Sequence, residues 1–250
     1  MARSIFITGA SAGIGEALAA EFARRGYDIA LAARRVDRLE ALAARLRALG
    51  ARRALAVSLD VTDSGSVCDA LEGAAAELGR LDTVVVNAGV GYSLPVGRGK
   101  WDLVKRTLDT DLTGAIATIE AALPILRRQG GGQIVAITSI AGARGLPFMG
   151  AYSAAKAGLH RYLQALRAEV YREPIDVTEL APGYIDTDMN RGMPSRPFVI
   201  PVETGAATMA RLIERRVAHR YVPAWPWALV APMLRILPTA LLAPRSKQAK

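Results

Sequence analysis

The chain has 250 residues, of which 51% are hydrophobic and 22% are charged, and its formal net charge is +9. This length and apolar content suit one α/β domain, or two small ones, and exclude disorder as a general state. The single cysteine, Cys68, excludes an internal disulfide and a cysteine-cluster metal site. The two histidines, His160 and His219, are too few and too far apart in the sequence to suggest zinc, so no metal is predicted.

The positive charge comes mostly from arginines, which are scattered through helix-like segments such as ALAARLRALGARR without a dense basic run. This distribution favours solvated helix faces and predicts no nucleic-acid partner. The first residues, MARSIFITGAS, contain an apolar run that is too short for the core of a signal peptide. We therefore expect no signal peptide and a reducing, cytoplasmic location.

Short apolar runs alternate with alanine- and leucine-rich helical patterns along the chain. Strands are predicted in SIFIT, YDIALAA, ALAVSLD, DTVVVNAG, GQIVAITS and IDVTELAPG, with RYVPA as the candidate for a short seventh. Helices are predicted over residues 15–25, 37–49, 64–78, 101–128, 151–172 and 203–218. This alternation is typical of βαβ units with right-handed crossovers. It predicts a single-domain, Rossmann-like α/β fold, a doubly wound parallel sheet of about seven strands with helices on both faces.

The turn after the first predicted strand is rich in glycine, in the pattern Gly-x-x-x-Gly-x-Gly. Gly9 allows the tight turn, Gly13 allows the backbone to approach a pyrophosphate, and Gly15 allows the helix to pack close to the sheet. Unpaired N–H groups and the positive dipole end of the helix then face the phosphates. The strand before it and the helix after it favour a dinucleotide site over a purely structural turn. The predicted binding residues of this turn are Gly9, Ser11, Ala12, Gly13, Ile14 and Gly15.

The end of the second predicted strand indicates which dinucleotide binds. An acidic residue there would bind a ribose 2′-hydroxyl and repel a 2′-phosphate, but this strand ends in Arg34 and Arg35. Arginine pairs with phosphate through two parallel hydrogen bonds. The pattern favours NADP(H) over NAD(H), and the alternative is that both arginines are solvated loop charges.

The segment AYSAAK places Tyr152 four residues before Lys156, one of only five lysines in the chain. Residues at i and i+4 share a helix face, so both side chains reach the same bound molecule. A neighbouring ammonium lowers the pKa of a phenol, which can then act as acid and base nearer neutral pH. Ser139, at the carboxyl end of the fifth predicted strand, is the candidate second donor to a carbonyl oxygen.

These motifs together resemble the classical short-chain dehydrogenase/reductase family over about residues 3 to 190. The matching segments are TGASAGIG, LDV, NAG, Ser139 before Tyr152, YSAAK, and the Pro-Gly pair followed by Thr187. The resemblance implies that Ser139, Tyr152 and Lys156 are catalytic, that Lys156 also binds the ribose, and that Arg34 with Ser11 contacts the 2′-phosphate. It further implies cofactor contacts from Asp60, Val61, Asn87, Ala88, Gly89, Pro182, Gly183, Ile185 and Thr187.

One position departs from the family pattern. The family usually has asparagine before Leu-x-Gly in the fourth helix, where its backbone carbonyl supports a water chain to the lysine, and this chain has Asp111. The aspartate keeps the carbonyl but adds a negative charge near Lys156, which opposes the tyrosine phenolate. We expect catalysis to be retained and count Asp111 among the catalytic residues.

The C-terminal part is the least informative. We predict a dinucleotide-binding and catalytic core at 1–190, a substrate loop with the last helix and strand at 191–222, and an apolar, proline-rich extension at 223–250. Met189, Met193, Pro197 and Phe198 are expected to form an apolar lid over the substrate.

The extension contains VPAWPWALVAPMLRILPTALLAP, whose length is close to a membrane span. Pro226, Pro232 and Pro238 interrupt it, and each would break a regular helix in lipid. Packing against the domain, a partner subunit or the substrate mouth is therefore favoured. Membrane contact through residues 223–244 is the alternative.

The sequence as a whole predicts an NADPH-dependent carbonyl reductase that also works in reverse as an alcohol dehydrogenase. We expect its substrate to be an apolar small-molecule carbonyl or alcohol, and we expect the protein to form a dimer or tetramer. Two alternatives stay open. One is a protein that binds NADP(H) without turnover, although such a protein need not keep Ser139, Tyr152 and Lys156 together. The other is a lipid-modifying reductase at a membrane surface, which the extension allows.

Overall fold

The computed structural model describes residues 3–193 and 195–243, and its centre is one parallel sheet. The strands of this sheet are β1 (Ser4–Thr8), β2 (Asp28–Ala33), β3 (Ala54–Ser58), β4 (Thr83–Val86), β5 (Gly132–Ile137), β6 (Ile175–Pro182) and β7 (His219–Val222). Their order is β3-β2-β1-β4-β5-β6-β7, and every neighbouring pair is parallel. The predicted seven-stranded, doubly wound sheet is confirmed.

Helices cover both faces of the sheet. Their bounds are α1 (Gly13–Arg24), α2 (Val36–Leu49), α3 (Ser64–Leu78), α4 (Trp101–Leu108), α5 (Gly114–Arg128), α6 (Gly150–Glu169), α7 (Asp188–Arg191), α8 (Val202–Glu214), α9 (Ala224–Ile236) and α10 (Thr239–Leu242). Side chains alternate across a strand, so Ile5 and Ile7 join a core with α1, α2 and α8. Phe6, between them, joins the opposite core with α3, α5 and α6.

The predicted long helix over residues 101–128 is interrupted. A π-helical turn, Asp109–Thr113, separates α4 from α5. Such a turn inserts one extra residue per turn and occurs frequently at functional sites, because it redirects side chains out of the regular helical register. Here it carries Asp111, whose side chain is fully buried. The sequence pattern gave no sign of this interruption, since both flanking segments keep helical periodicity.

Helix α9 lies in a segment for which no helix was predicted, and its prolines were expected to break a regular helix in lipid. Pro226 lies near its start, after the non-helical backbone of Trp225, and Pro232 lies inside it. A proline within a helix removes one hydrogen bond, and the exposed outer side of α9 lets water satisfy the freed carbonyl. One face of α9 packs on the domain through Trp227 and Ala231, as favoured for the extension. None of the helices in residues 3–193 and 195–243 has the length and apolarity needed to cross a membrane.

The carboxyl ends of the strands meet at one edge of the sheet. Strand β5 ends at Ile137, two residues earlier than the predicted strand, so Ser139 lies in the following loop as the N-cap residue of a short 3₁₀ turn, Ile140–Gly142. Strands β1 and β4 are neighbours, although β2 and β3 lie between them in the sequence. The strand order therefore reverses at β1 and β4, and a doubly wound sheet binds ligands at such a crevice.

Candidate active site

A cleft of about 290 Å³ opens at this edge of the sheet. The predicted site residues that line it are Gly9, Ser11, Ala12, Gly13, Ile14, Arg34, Arg35, Asp60, Val61, Asn87, Ala88, Gly89, Asp111, Tyr152, Lys156, Pro182 and Thr187. The predicted residues Gly15, Ser139, Gly183 and Ile185 lie outside the lining. The cleft is also lined by Leu59, which belongs to the LDV segment, and by Met189 of the predicted lid. The lining residues that were not singled out from the sequence are Ala33, Val90, Thr110, Ile137, Thr138 and Asp188. Ala33, Ile137 and Thr138 lie at or just after a strand end, which is the signal that could have identified them.

The glycine turn between β1 and α1 is packed too closely for side chains. Gly9 has a φ of +66°, and a Cβ built there would lie 2.8 Å from the Cα of Ala88. A Cβ on Gly15 would lie 2.5 Å from the carbonyl oxygen of Gly9 and 2.6 Å from Nδ2 of Asn87. Gly15 therefore allows α1 to approach the sheet, as predicted, without itself reaching the cleft.

Among the described residues, no side chain caps the first turn of α1, because the N-cap residue is Ala12. The N–H groups that start a helix need acceptors, and here they face a cleft with a positive dipole end behind them. This bare, glycine-lined N-terminus fits the pyrophosphate of a dinucleotide.

The two arginines after β2 occupy different positions at the rim of the cleft. Arg35 donates from Nε and Nη2 to the hydroxyl of Ser11, at 3.2 and 2.8 Å. Nη1 of Arg34 lies 3.6 Å from Oδ2 of Asp60. Burial opposes ionisation of Asp60, but hydrogen bonds from Thr62 and the charge of Arg34 hold the pKa of Asp60 below its usual value. The rim thus gathers two guanidinium groups and a serine hydroxyl, which suits a phosphate monoester.

The centre of the cleft holds Tyr152, Lys156 and Asp111. Nζ of Lys156 lies 5.7 Å from the ring centroid of Tyr152 and 3.4 Å from Oδ2 of Asp111. The lysine also donates to the carbonyl of Ile137 at 3.2 Å. Oδ1 of Asp111 accepts the N–H of Val90 at 2.7 Å, so the carboxylate is fixed toward the lysine. Asp111 is fully buried and the Lys156 side chain is 5% exposed.

Burial and these two charges set the protonation of the group. Burial raises the pKa of Tyr152, Lys156 lowers it, and Asp111 raises it again, with a net rise above the ordinary value. Lys156 acts to lower the pKa of Tyr152, as predicted, but burial raises that pKa by more. Burial disfavours the ammonium of Lys156, but Asp111 and Tyr152 together outweigh burial, so the pKa of the lysine is raised. Burial also raises the pKa of Asp111, against the opposing charge of Lys156.

Ser139 lies beside Tyr152 rather than in the cleft lining. Its hydroxyl accepts the N–H of Ala141 at 3.1 Å and so begins the 3₁₀ turn after β5. A hydrogen bond between Ser139 and the phenol acts to lower the pKa of Tyr152, after the effects of burial, Lys156 and Asp111. The hydroxyl keeps its proton free to donate, because the turn uses only its oxygen as acceptor.

Of the four residues predicted to form an apolar lid, Met189 lines the cleft, while Met193, Pro197 and Phe198 do not. Phe198 packs edge-on against Trp227, with ring centroids 5.7 Å apart, and Tyr184 lies 6.2 Å from the same indole. A Cβ built on Gly183 would overlap the indole nitrogen of Trp227. Gly183 therefore acts by allowing α9 to approach the end of β6, a contact that the sequence did not predict.

Comparison with known proteins agrees with this geometry. A family model described as short chain dehydrogenase matches residues 3–197. An uncharacterized oxidoreductase from Mycobacterium tuberculosis (strain ATCC 25618 / H37Rv) is 39% identical over 241 residues, covering 96% of this chain and 95% of that one. Another, from Myxococcus xanthus, is 36% identical over 243 residues, covering 96% and 94%.

A solved structure is similar along most of its length. It is an alcohol dehydrogenase from the archaeon Thermococcus sibiricus complexed with 5-hydroxy-NADP, with a TM-score of 0.81 and 31% identity. The match covers 88% of this chain and 96% of that one. The resemblance found in the sequence is thereby confirmed: the chain belongs to the short-chain dehydrogenase/reductase family and is an oxidoreductase.

Proposed function

We propose that the protein is an NADPH-dependent carbonyl reductase that also oxidises the corresponding secondary alcohol. The observation that carries this proposal is the group of Tyr152, Lys156 and Asp111 in a cleft that the glycine turn also lines, with Ser139 beside the phenol. When bound, the nicotinamide would supply hydride to a carbonyl carbon or accept it from an alcohol.

The preference for NADP(H) rests on the rim of the cleft. Arg34 and Arg35 line it where an NAD-binding site would have an acid, and Ser11 adds a hydroxyl. Arg34 is paired only loosely with Asp60, at 3.6 Å, and is largely exposed, so it is free to turn toward a phosphate. The Thermococcus sibiricus structure, which contains 5-hydroxy-NADP, supports the same choice.

The raised pKa of Tyr152 suits the direction of reduction. A phenol whose pKa lies above the ordinary value is protonated at neutral pH, so Tyr152 holds the proton that the carbonyl oxygen needs. Ser139 would donate a second hydrogen bond to that oxygen and hold it near the phenol. Lys156 stays an ammonium because of Asp111, and its charge favours the phenolate that remains after proton transfer.

The open end of the cleft favours an apolar substrate. Met189 offers apolar surface within the cleft, and the exposed Phe198 of the predicted lid would add to it. We therefore assign the substrate to apolar ketones, aldehydes and their alcohols. A cytoplasmic location, a dimer or tetramer, and the division at residues 190 and 222 stay predictions.

The proposal is tested by NADPH oxidation against a panel of ketones and aldehydes from short to long alkyl chains. We expect turnover with at least one apolar member, increasing with chain length, and slower turnover with NADH. Tight NADPH binding without turnover on the whole panel would instead favour the alternative of a catalytically silent NADP(H)-binding protein.

One observation favours the second candidate, a reductase of lipid-like substrates at a membrane surface. The outer face of α9 exposes Trp225, Leu229, Met233 and Ile236, the last at 83%. These residues follow helical spacing, and an apolar stripe of this kind suits shallow insertion into an interface. Flotation with anionic liposomes distinguishes the candidates: co-flotation that is lost in a Met233→Glu/Ile236→Glu variant would favour the second.

A further inference from the structure

The two histidines of the chain, distant in sequence, meet outside the cleft. His160 lies in α6 and His219 is the first residue of β7, and their ring centroids are 6.1 Å apart. Glu179 completes the group, because it is the register partner of His219 on the adjacent strand β6. The glutamate is 2% exposed, while both imidazoles are partly exposed. His160 and His219 are therefore close in the folded chain, although their distance in the sequence had suggested that they form no metal site.

The distances within this group suit a shared ion. Nδ1 of His160 lies 2.8 and 2.9 Å from the two carboxylate oxygens of Glu179. One ligand atom from each of the three residues lies within 4.8 Å of the others. A tetrahedral ion with bonds of about 2.1 Å holds its ligand atoms about 3.4 Å apart. The observed separations bracket this value, and small rotations of the two partly exposed imidazoles would reach it while Glu179 stays fixed.

The surroundings hold the ligands in place. The hydroxyl of Thr138 donates to Oε1 of Glu179 at 3.0 Å, an outer hydrogen bond of the kind that orients a ligating carboxylate. Nε2 of His160 lies 3.2 Å from the side-chain amide of Gln164. The oxygen of this amide already accepts from Arg161 at 2.7 Å. Thr138 thus gives Glu179 an outer partner, and Gln164 contacts the outer nitrogen of His160.

A pocket of about 340 Å³ gives access to the group from solvent. It is also lined by Arg161, Arg167 and Arg235, whose charges oppose a cation. Two of these guanidinium groups are held by other acceptors: Arg161 donates to Gln164, and Arg167 donates to the carbonyls of Val177 and Ala218. The space above the group leaves room for water or a small anion as the remaining ligand.

We propose that His160, Glu179 and His219 form a binding site for one divalent transition-metal ion, such as Zn²⁺, separate from the hydride-transfer cleft. Two imidazoles and one carboxylate suit Zn²⁺, Co²⁺ or Ni²⁺ and disfavour Mg²⁺ and Ca²⁺, which prefer oxygen ligands. The ion would join α6 to β6 and β7. Its role is to stabilise this corner of the fold, since the three ligands come from elements that are far apart in the chain.

The test is a Co²⁺ titration of tag-free, chelator-treated protein, followed by visible ligand-field absorption. We expect saturation at one Co²⁺ per chain, displacement by Zn²⁺, and no competition from Mg²⁺. Because the chain has only two histidines, both imidazole NMR signals should broaden with Co²⁺. At a hundredfold excess over its Kd, Zn²⁺ should raise Tm by roughly 5 °C.

Three variants keep the test decisive. His219→Ala and Glu179→Gln should each weaken Co²⁺ binding by about tenfold or more, because each removes a ligand. Glu173→Gln, at an exposed carboxylate paired with Arg127, should leave it unchanged. NADPH binding by His219→Ala verifies that the variant is folded, and the metal titration is independent of any reductase activity. Absence of saturable binding, unchanged imidazole signals, or equal Co²⁺ affinity in the parent protein and His219→Ala would overturn the proposal.

Discussion

Replacing Asp111 by asparagine separates the charge of this residue from its shape. In the parent protein, Oδ1 of Asp111 accepts the N–H of Val90 at 2.7 Å, and asparagine keeps an oxygen that can accept it. It removes the carboxylate that lies 3.4 Å from Nζ of Lys156. Because Asp111 raises the pKa values of both Lys156 and Tyr152, both should fall in the variant.

The size of the effect follows from the geometry. At an effective dielectric constant of ~20, two unit charges at this 3.4 Å separation interact by about 5 kcal/mol. The ammonium and the water of the open cleft screen the phenol from the carboxylate. The phenol of Tyr152 experiences part of that interaction, so the pKa of Tyr152 falls in the variant.

The assay is the rate of alcohol oxidation against pH, since oxidation needs the phenolate as base. We expect the oxidation rate of Asp111→Asn to rise at lower pH than that of the parent enzyme, with activity retained. Asp109→Asn is the matched control, because Asp109 lies in the same π-helical turn but pairs with Lys105 at the surface. A rise that moves to higher pH, or an inactive but folded Asp111→Asn protein, would refute the reasoning.

Three further predictions concern the cofactor rim and the fold. Arg34→Ala should weaken NADPH binding at least tenfold while changing NADH binding little, measured by fluorescence titration, and equal losses would contradict the 2′-phosphate assignment. Gly183→Ala should destabilise the fold by about 2–4 kcal/mol in urea unfolding, because the new Cβ overlaps Trp227; a Trp227→Ala background should remove most of that cost. Burial opposes ionisation of Asp28, but hydrogen bonds from Arg52 and Arg53 hold the pKa of Asp28 below its usual value. Its contribution to stability is present above the unfolded pKa of about 4 and disappears as pH falls through the lower folded pKa, so Asp28→Asn should cost more at pH ~7 than at pH ~3.

The sequence was sufficient where local chemistry fixes the structure. A glycine turn between a strand and a helix has few other uses, so Gly9, Gly13 and Gly15 identified the dinucleotide end of the cleft. The i, i+4 spacing placed Tyr152 and Lys156 on one helix face, and the structure places both in the cleft. These features depend on helical geometry and on backbone space, which a sequence pattern carries directly.

The sequence was insufficient where distant segments meet. The interval between His160 and His219 suggested separation, but parallel pairing of β6 with β7 brings His219 beside Glu179 and α6. The π-helical turn at Asp111 has no pattern of its own in the sequence, because the segments on either side of it keep helical periodicity. The extension packs on the domain through Trp227, which lies against Gly183 just after β6.

The central claim is that Tyr152 transfers the proton in an NADPH-dependent reduction, and its most direct measurement is single-turnover NADPH oxidation by Tyr152→Phe. The ring and its packing stay, while the hydroxyl beside Ser139 and Lys156 is lost. The account predicts unchanged NADPH affinity and a rate that falls by about 10²–10⁴-fold on the best panel substrate. A Tyr152→Phe protein that reduces that substrate at a rate near the parent enzyme would contradict the account.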